Sequence, residues 1–159
     1  MNYGRLGGRM LGMALLTFGW PSWGRPVPDA TLRREASRVI DRSARDFEIE
    51  GGARRGRNLF HSFRNFGVED GGSVYFLNPS GVENIFGRVT GASRSEILGT
   101  LGVRGSANLF LLNPNGILFG PNASLDLGGS FTATTANAIQ FGEQSFNTSR
   151  PEAPSGLLR

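Results

Sequence analysis

One imidazole, His61, no thiol, and carboxylates scattered over Glu69, Asp70, Glu83, Glu96, Asp126 and Glu143 are what the body of this 159-residue chain offers to chemistry. A single histidine excludes any site that needs two imidazole ligands and leaves little for a histidine-dependent triad. The absence of cysteine removes disulfide frameworks, thiol catalysis and thiolate metal sites together. The acids would serve a Ca²⁺-assisted polysaccharide lyase only if they converged on one face beside a basic group. They stand apart and mostly beside turn residues, as solvated positions do. His61 lies in the alternating stretch NLFHSF, where a satisfied or half-exposed histidine is expected, and Phe60, Phe63 and Phe66 read as packing beneath a cap. Tyr75 is the only Tyr or Trp beyond residue 24, so an adhesive or carbohydrate-binding module would lack stacking surface and little intrinsic sugar binding is expected. The chain reads as a non-enzyme with no cofactor.

Charge sharpens the exclusion. The formal net charge is +4 and every cation is Arg. Eight Arg fall between Arg33 and Arg57 against five acids, whereas from Asn58 onward there are six Arg and seven acids. The basic character belongs to the N-terminal third, so a nucleic-acid role for the whole chain is not indicated. The loop Gly51 to Arg57 is expected to hold its three Arg in solvent.

The elements that would position such residues are short. Asn108 to Pro121 reads NLFLLNPNGILFGP, two apolar runs around Asn113-Pro114-Asn115-Gly116. Pro114 presets its own φ, Gly116 accepts positive φ, and the asparagines can bond nearby backbone. A related block, YFLNPSG from Tyr75 to Gly81, places Asn78 and Pro79 35 residues earlier (113 − 78). From Asn58 the chain is a succession of such runs: 59–63, 73–77, 82–89, 97–103, 109–112, 117–119, 125–127, 131–135 and 138–141. Each is closed by Gly, Asn, Pro or Ser. NLF recurs at Asn58 and Asn108, and GGS at Gly71 and Gly128. Short similar pieces that cannot bury a face alone become stable by stacking. The expected fold is therefore all-β, a right-handed parallel β-helix (solenoid) with a small N-terminal cap. Residues 1–24 carry Arg5 and Arg9, the apolar run Met10 to Trp20 and a small-residue triplet, the order of a secretory signal peptide. Residues 25–57 form the cap, 58–142 the solenoid, and 143–159 a disordered tail or truncated continuation.

Five ordered blocks carry a resemblance: NLFHSFRNFGV (58–68), NPSGVENIFGRVTG (78–91), ILGTLGV (97–103), ANLFLLNPNGILFGP (107–121) and GGSFTATTANAIQF (128–141). Together they resemble the N-terminal secretion domain of the filamentous haemagglutinin family, exoproteins of two-partner secretion, and PDATL (28–32) with GGARRG (51–56) is similar to its cyanobacterial branch. The resemblance implies a β-helix that crosses the inner membrane by the general secretory machinery. In the periplasm the recognition domains of an outer-membrane β-barrel transporter would bind it, and it would be released at the cell surface, where it would template folding. Asn113, Pro114, Asn115, Gly116 and Ile117 match the family's NPNGI secretion motif. Asn78 and Pro79 stand where its NPNL motif lies, with Ser80 and Gly81 replacing Asn and Leu. Only eighteen residues follow Phe141 (159 − 141), so a chain lacking its passenger is expected, any host or cell-surface contact belonging to that missing part.

Overall fold

The computed structural model describes residues 24–156. The leader expected over 1–24 lies outside them except for its last residue. Strands β1 (Val27–Pro28), β2 (Ser37–Asp41), β3 (Asp46–Gly51) and β4 (Ala53–Arg55) precede β5 (Asn58–Asn65), β6 (Ser73–Leu77), β7 (Asn84–Val89) and β8 (Ser95–Ile97). They are followed by β9 (Thr100–Arg104), β10 (Asn108–Leu112), β11 (Ile117–Phe119), β12 (Ser124–Asp126), β13 (Phe131–Thr134), β14 (Ala138–Phe141) and β15 (Gln144–Asn147). A 3₁₀ turn at Arg33–Glu35 links β1 to β2.

These strands wind into a parallel β-solenoid. Face I stacks β3, β6, β9 and β12 in parallel, face II stacks β5, β7, β10 and β13, and face III pairs β8 with β11. A parallel bridge from Val68 to Ile97 begins face III one coil earlier. On face I the register follows apolar alternation, because a one-residue slip would turn every inward side chain out. Phe47, Val74, Leu101 and Leu125 align along face I, and Leu59, Ile85, Leu109 and Phe131 along face II. All of these but Leu125 belong to or pack against one continuous core.

Coil spacing follows from the same registers. Asn58, Asn84 and Asn108 pair in sequence, 26 and 24 residues apart (84 − 58, 108 − 84). The 35-residue likeness between YFLNPSG and FLLNPNG is therefore not a coil repeat. Similar turn chemistry serves two different corners, Asn78 between faces I and II and Asn113 between faces II and III. The run 97–103 also divides, since Gly99 approaches the carbonyls of Glu69 and Gly72 too closely for any Cβ. The chain turns from face III to face I there.

The two ends differ. At the N-terminal end β2 pairs antiparallel with β3 and β1 and β4 pair antiparallel with β5, so a cap closes the first coil. The segment expected as a solvated loop contains β4, and Arg55 there is withdrawn from solvent. It grips Glu35 through two bonds of 2.8 and 2.7 Å and donates to the Pro154 carbonyl at 3.1 Å. At the C-terminal end the core ladder is open. Leu125 is 48% exposed where Leu101, the residue paired with it, is 0%, and Phe119 is 43% exposed where its partner Ile97 is 0%.

Two expectations for the C-terminal region are corrected. The 138–141 run is not another rung: β14 turns back and pairs antiparallel with β15, outside the solenoid. Residues 144–154, for which a disordered tail is one of the two expectations, are structured: they carry β15, the fully buried Phe146 and the buried Pro154. The reason is a second core on the outer side of face II. Phe60, Phe86 and Phe110 stack there with centroids 5.1 and 4.7 Å apart, and Phe141, Phe146 and Ile139 from the hairpin cover them. Burying such rings stabilises by about 1.5–3 kcal/mol each, enough to order a short hairpin that has no pattern of its own.

Candidate functional site

Asn113 is fully buried at the corner after β10. Its Nδ2 donates to the Ser93 carbonyl at 3.0 Å and to Ser95 Oγ at 2.9 Å, both on the preceding coil. Its Oδ1 accepts from the Asn115 backbone at 3.0 Å, and its own N–H donates to the Thr134 carbonyl of the following coil at 3.0 Å. One residue thus ties three coils. A buried amide whose polar atoms are all bonded specifies a corner strongly, because truncating it leaves partners unsatisfied.

The rest of the motif completes the turn. The Gly116 N–H closes it on the Asn113 carbonyl at 3.0 Å, with Gly116 at φ 111, where a side chain would be strained. Asn115 is exposed and its Nδ2 donates to the Gly91 carbonyl at 2.7 Å. Pro114 and Ile117 are half-buried, and Ile117 packs against the core.

Asn78 works differently. Its Nδ2 bonds the Val82 and Pro79 carbonyls at 3.0 and 3.1 Å within its own turn, while its Oδ1 accepts from Ala107 N–H on the next coil at 3.0 Å. Pro79 is exposed. The two motifs share side-chain to backbone bonding but occupy different corners, so they do not stack on one another.

Sequence reasoning missed two constellations. The first is an asparagine ladder: Asn84 donates to Asn58 at 3.1 Å, Asn108 to Asn84 at 3.0 Å, and Ser130 N–H to Asn108 at 2.8 Å. NIF at Asn84, between the two NLF copies, was the available signal. The ladder borders an open groove of about 580 Å³ lined also by Phe86, Phe110 and Phe141. The second is Arg88, 1% exposed, which donates to Ser62 at 2.9 Å, Thr31 at 2.9 Å and the Asn147 and Glu152 carbonyls at 3.0 and 2.9 Å. Burial pushes its pKa down to about 10, with the Asp29 charge pulling the other way, so it stays protonated at neutral pH. Burial also raises the Asp29 pKa, but hydrogen bonds from Thr31, Thr90 and Ser62 outweigh it and leave the carboxyl below its usual range. No sequence pattern marks Arg88, because its partners come from the cap, the first coil and the tail.

His61, expected satisfied or half-exposed, is completely buried. Its Nδ1 lies 3.0 Å from Ser37 Oγ while Nε2 has no partner, and burial lowers its pKa to about 3. A neutral imidazole walled in by Phe63 and Phe76 is a packing residue. Among the described residues no group of three or more His, Cys, Asp or Glu could hold a metal ion, and no helix is long and apolar enough to cross a membrane.

A family model described as a TPS secretion domain matches residues 25–157. No curated protein matches the chain.

Proposed function

We propose an export role from one premise: this chain belongs to the TPS secretion domain family. Such a domain is a secretion-targeting module of two-partner secretion, not a member of an enzyme family, and its partner is a cognate outer-membrane transporter through which the protein is secreted.

The finer reading is ours. The general secretory machinery takes the chain across the inner membrane on a leader at residues 1–24. In the periplasm the transporter's soluble domains read the corners at Asn78-Pro79 and Asn113-Pro114-Asn115-Gly116-Ile117, and an unpaired strand edge adds to theirs. At the cell surface the coils form in order. The observation that carries this reading is the polarity of the solenoid: antiparallel strands close its first coil, while Phe119 and Leu125 stay exposed at its last. A closed start removes the need for nucleation at that end, and an open last coil offers a template for a further coil, since each repeat is stabilised by the one before it. Folding outside the membrane then biases movement outward without a nucleotide.

The test is export itself. The full chain produced together with the outer-membrane transporter of its own cell is expected outside the cells, and it should stay in the periplasm when the transporter is removed. Retention in the periplasm with the transporter present would overturn the reading.

A further inference from the structure

Asn115 is followed by Gly116, and no other asparagine of the chain precedes a glycine. Asparagine is a thermally labile side chain, most of all before glycine, where no Cβ shields the next backbone nitrogen. In the reaction the Gly116 nitrogen loses its proton and attacks Cγ of Asn115. A C–N bond closes a five-membered succinimide, the Cγ–Nδ2 bond breaks, and the nitrogen departs as ammonia. Water then opens the ring at either carbonyl and leaves aspartate or isoaspartate. One water is consumed and one ammonia released, so no other reactant is needed.

The folded corner opposes each requirement. The nitrogen that must lose its proton donates to the Asn113 carbonyl at 3.0 Å. The leaving nitrogen, Nδ2 of Asn115, is held by the Gly91 carbonyl at 2.7 Å and by Asn113 Oδ1 at 3.2 Å. We propose that Asn115 is a spontaneous modification site whose reactivity folding switches off: it converts while the chain is unfolded and is preserved while the solenoid stands.

The product cannot simply resume the turn. A carboxylate at residue 115 would face two acceptors, the Gly91 carbonyl and Asn113 Oδ1, where the amide made bonds. Isoaspartate would also lengthen the backbone of a four-residue turn. A chain that dwells unfolded thus loses a corner it needs for refolding, and the loss is one-way. The inference stands on the turn geometry and does not rest on the export reading.

Full-length chain is incubated at neutral pH, folded in one sample and in concentrated urea in another, and the segment carrying residue 115 is followed by mass and by isoaspartate detection. Conversion is expected at least about ten-fold faster in urea, because the folded site reacts only through local opening, and residue 115 should convert before any other asparagine. Equal rates in the two samples, or another asparagine reacting first, would overturn the proposal. After removal of urea the converted chain and Asn115→Asp are each expected to unfold at lower denaturant than the parent. An unchanged midpoint in both would overturn the claim that the product disables the corner.

Discussion

The guanidinium carbon of Arg88 lies 4.3 Å from the centre of the Phe146 ring, which joins the second coil to the hairpin that folds back over it. With bonds to Thr31, Ser62, Asn147 and Glu152, one side chain fastens cap, first coil and tail to its own strand. A buried cation is costly unless every donor is used, and here the partners arrive from both ends of the chain. Integrity of the cap therefore depends on residues near position 150.

Replacing Arg88 by Met keeps the apolar stem and removes every donor. The variant is expected to lose about 3 kcal/mol of stability, as when one side of a buried polar network is deleted. The loss should appear first as amide exchange over residues 144–154, with the core strands of faces I and II still protected. Denaturant titration and hydrogen exchange read the two effects, and uniform loss of protection would show that the tail is not held separately.

His61 makes stability depend on pH in a window of its own. Its pKa is about 3 in the folded chain against 6.5 ordinarily, so on acidification the unfolded chain takes up the proton first. Its contribution is present above pH about 6.5 and is lost as pH falls toward 3, at about 1.4 kcal/mol per unit. Asp29, Glu35 and Asp46 also have lowered pKa values and act in the same direction, but only around and below their ordinary values of 3.8 to 4.5. Between pH 6 and 5 the urea midpoint should fall in the parent and stay nearly flat in His61→Gln.

The coils were legible because stacking leaves a local signature. Runs of three to eight residues closed by Gly, Asn or Pro mark each strand, and NLF at Asn58 and Asn108 marks rungs two coils apart. What was hidden depends on distant partners. Phe146 sits in QSFNT, a polar setting, and becomes a core residue only because the rings of Phe60 and Phe86 project outward from face II. Arg55 looked like one of three loop cations until Glu35 and Pro154 came within reach. The likeness of the two NPxG blocks does not mark the coil period for a physical reason: a tight turn needs the same residues at any corner, so turn chemistry repeats wherever a corner is made.

Asn113→Ala separates turn-making from recognition. The substitution removes the bonds to Ser93 and Ser95 and the acceptor for Asn115, and it leaves buried groups unpaired, at about 1–3 kcal/mol. If the residue acts only through the corner, circular dichroism, thermal midpoint and export should decline together. Loss of export with an unchanged spectrum would assign the corner to the transporter, whereas an unchanged spectrum with normal secretion would remove Asn113 from both roles.

Gly102 tests how firmly the last coil is attached. Tyr75 lies against Gly102, its hydroxyl donates to Asp126 at 2.7 Å, and Arg104 covers its ring at 3.5 Å. A Cβ at residue 102 would overlap both the Tyr75 ring and the Asp126 backbone carbonyl. Rotating Tyr75 relieves only the first clash, so the second must move β12 itself. Overpacking of this kind costs about 1–3 kcal/mol, and β12, at the open end, pairs with β9 alone. Gly102→Ala is therefore expected to release the fourth coil selectively: faster exchange over 124–126 and 131–134, stronger binding of a hydrophobic dye by Leu101 and Leu109, and little change in β3 or β6. Equal destabilisation of all four coils would instead mean that the solenoid melts as one unit and that its end cannot open independently.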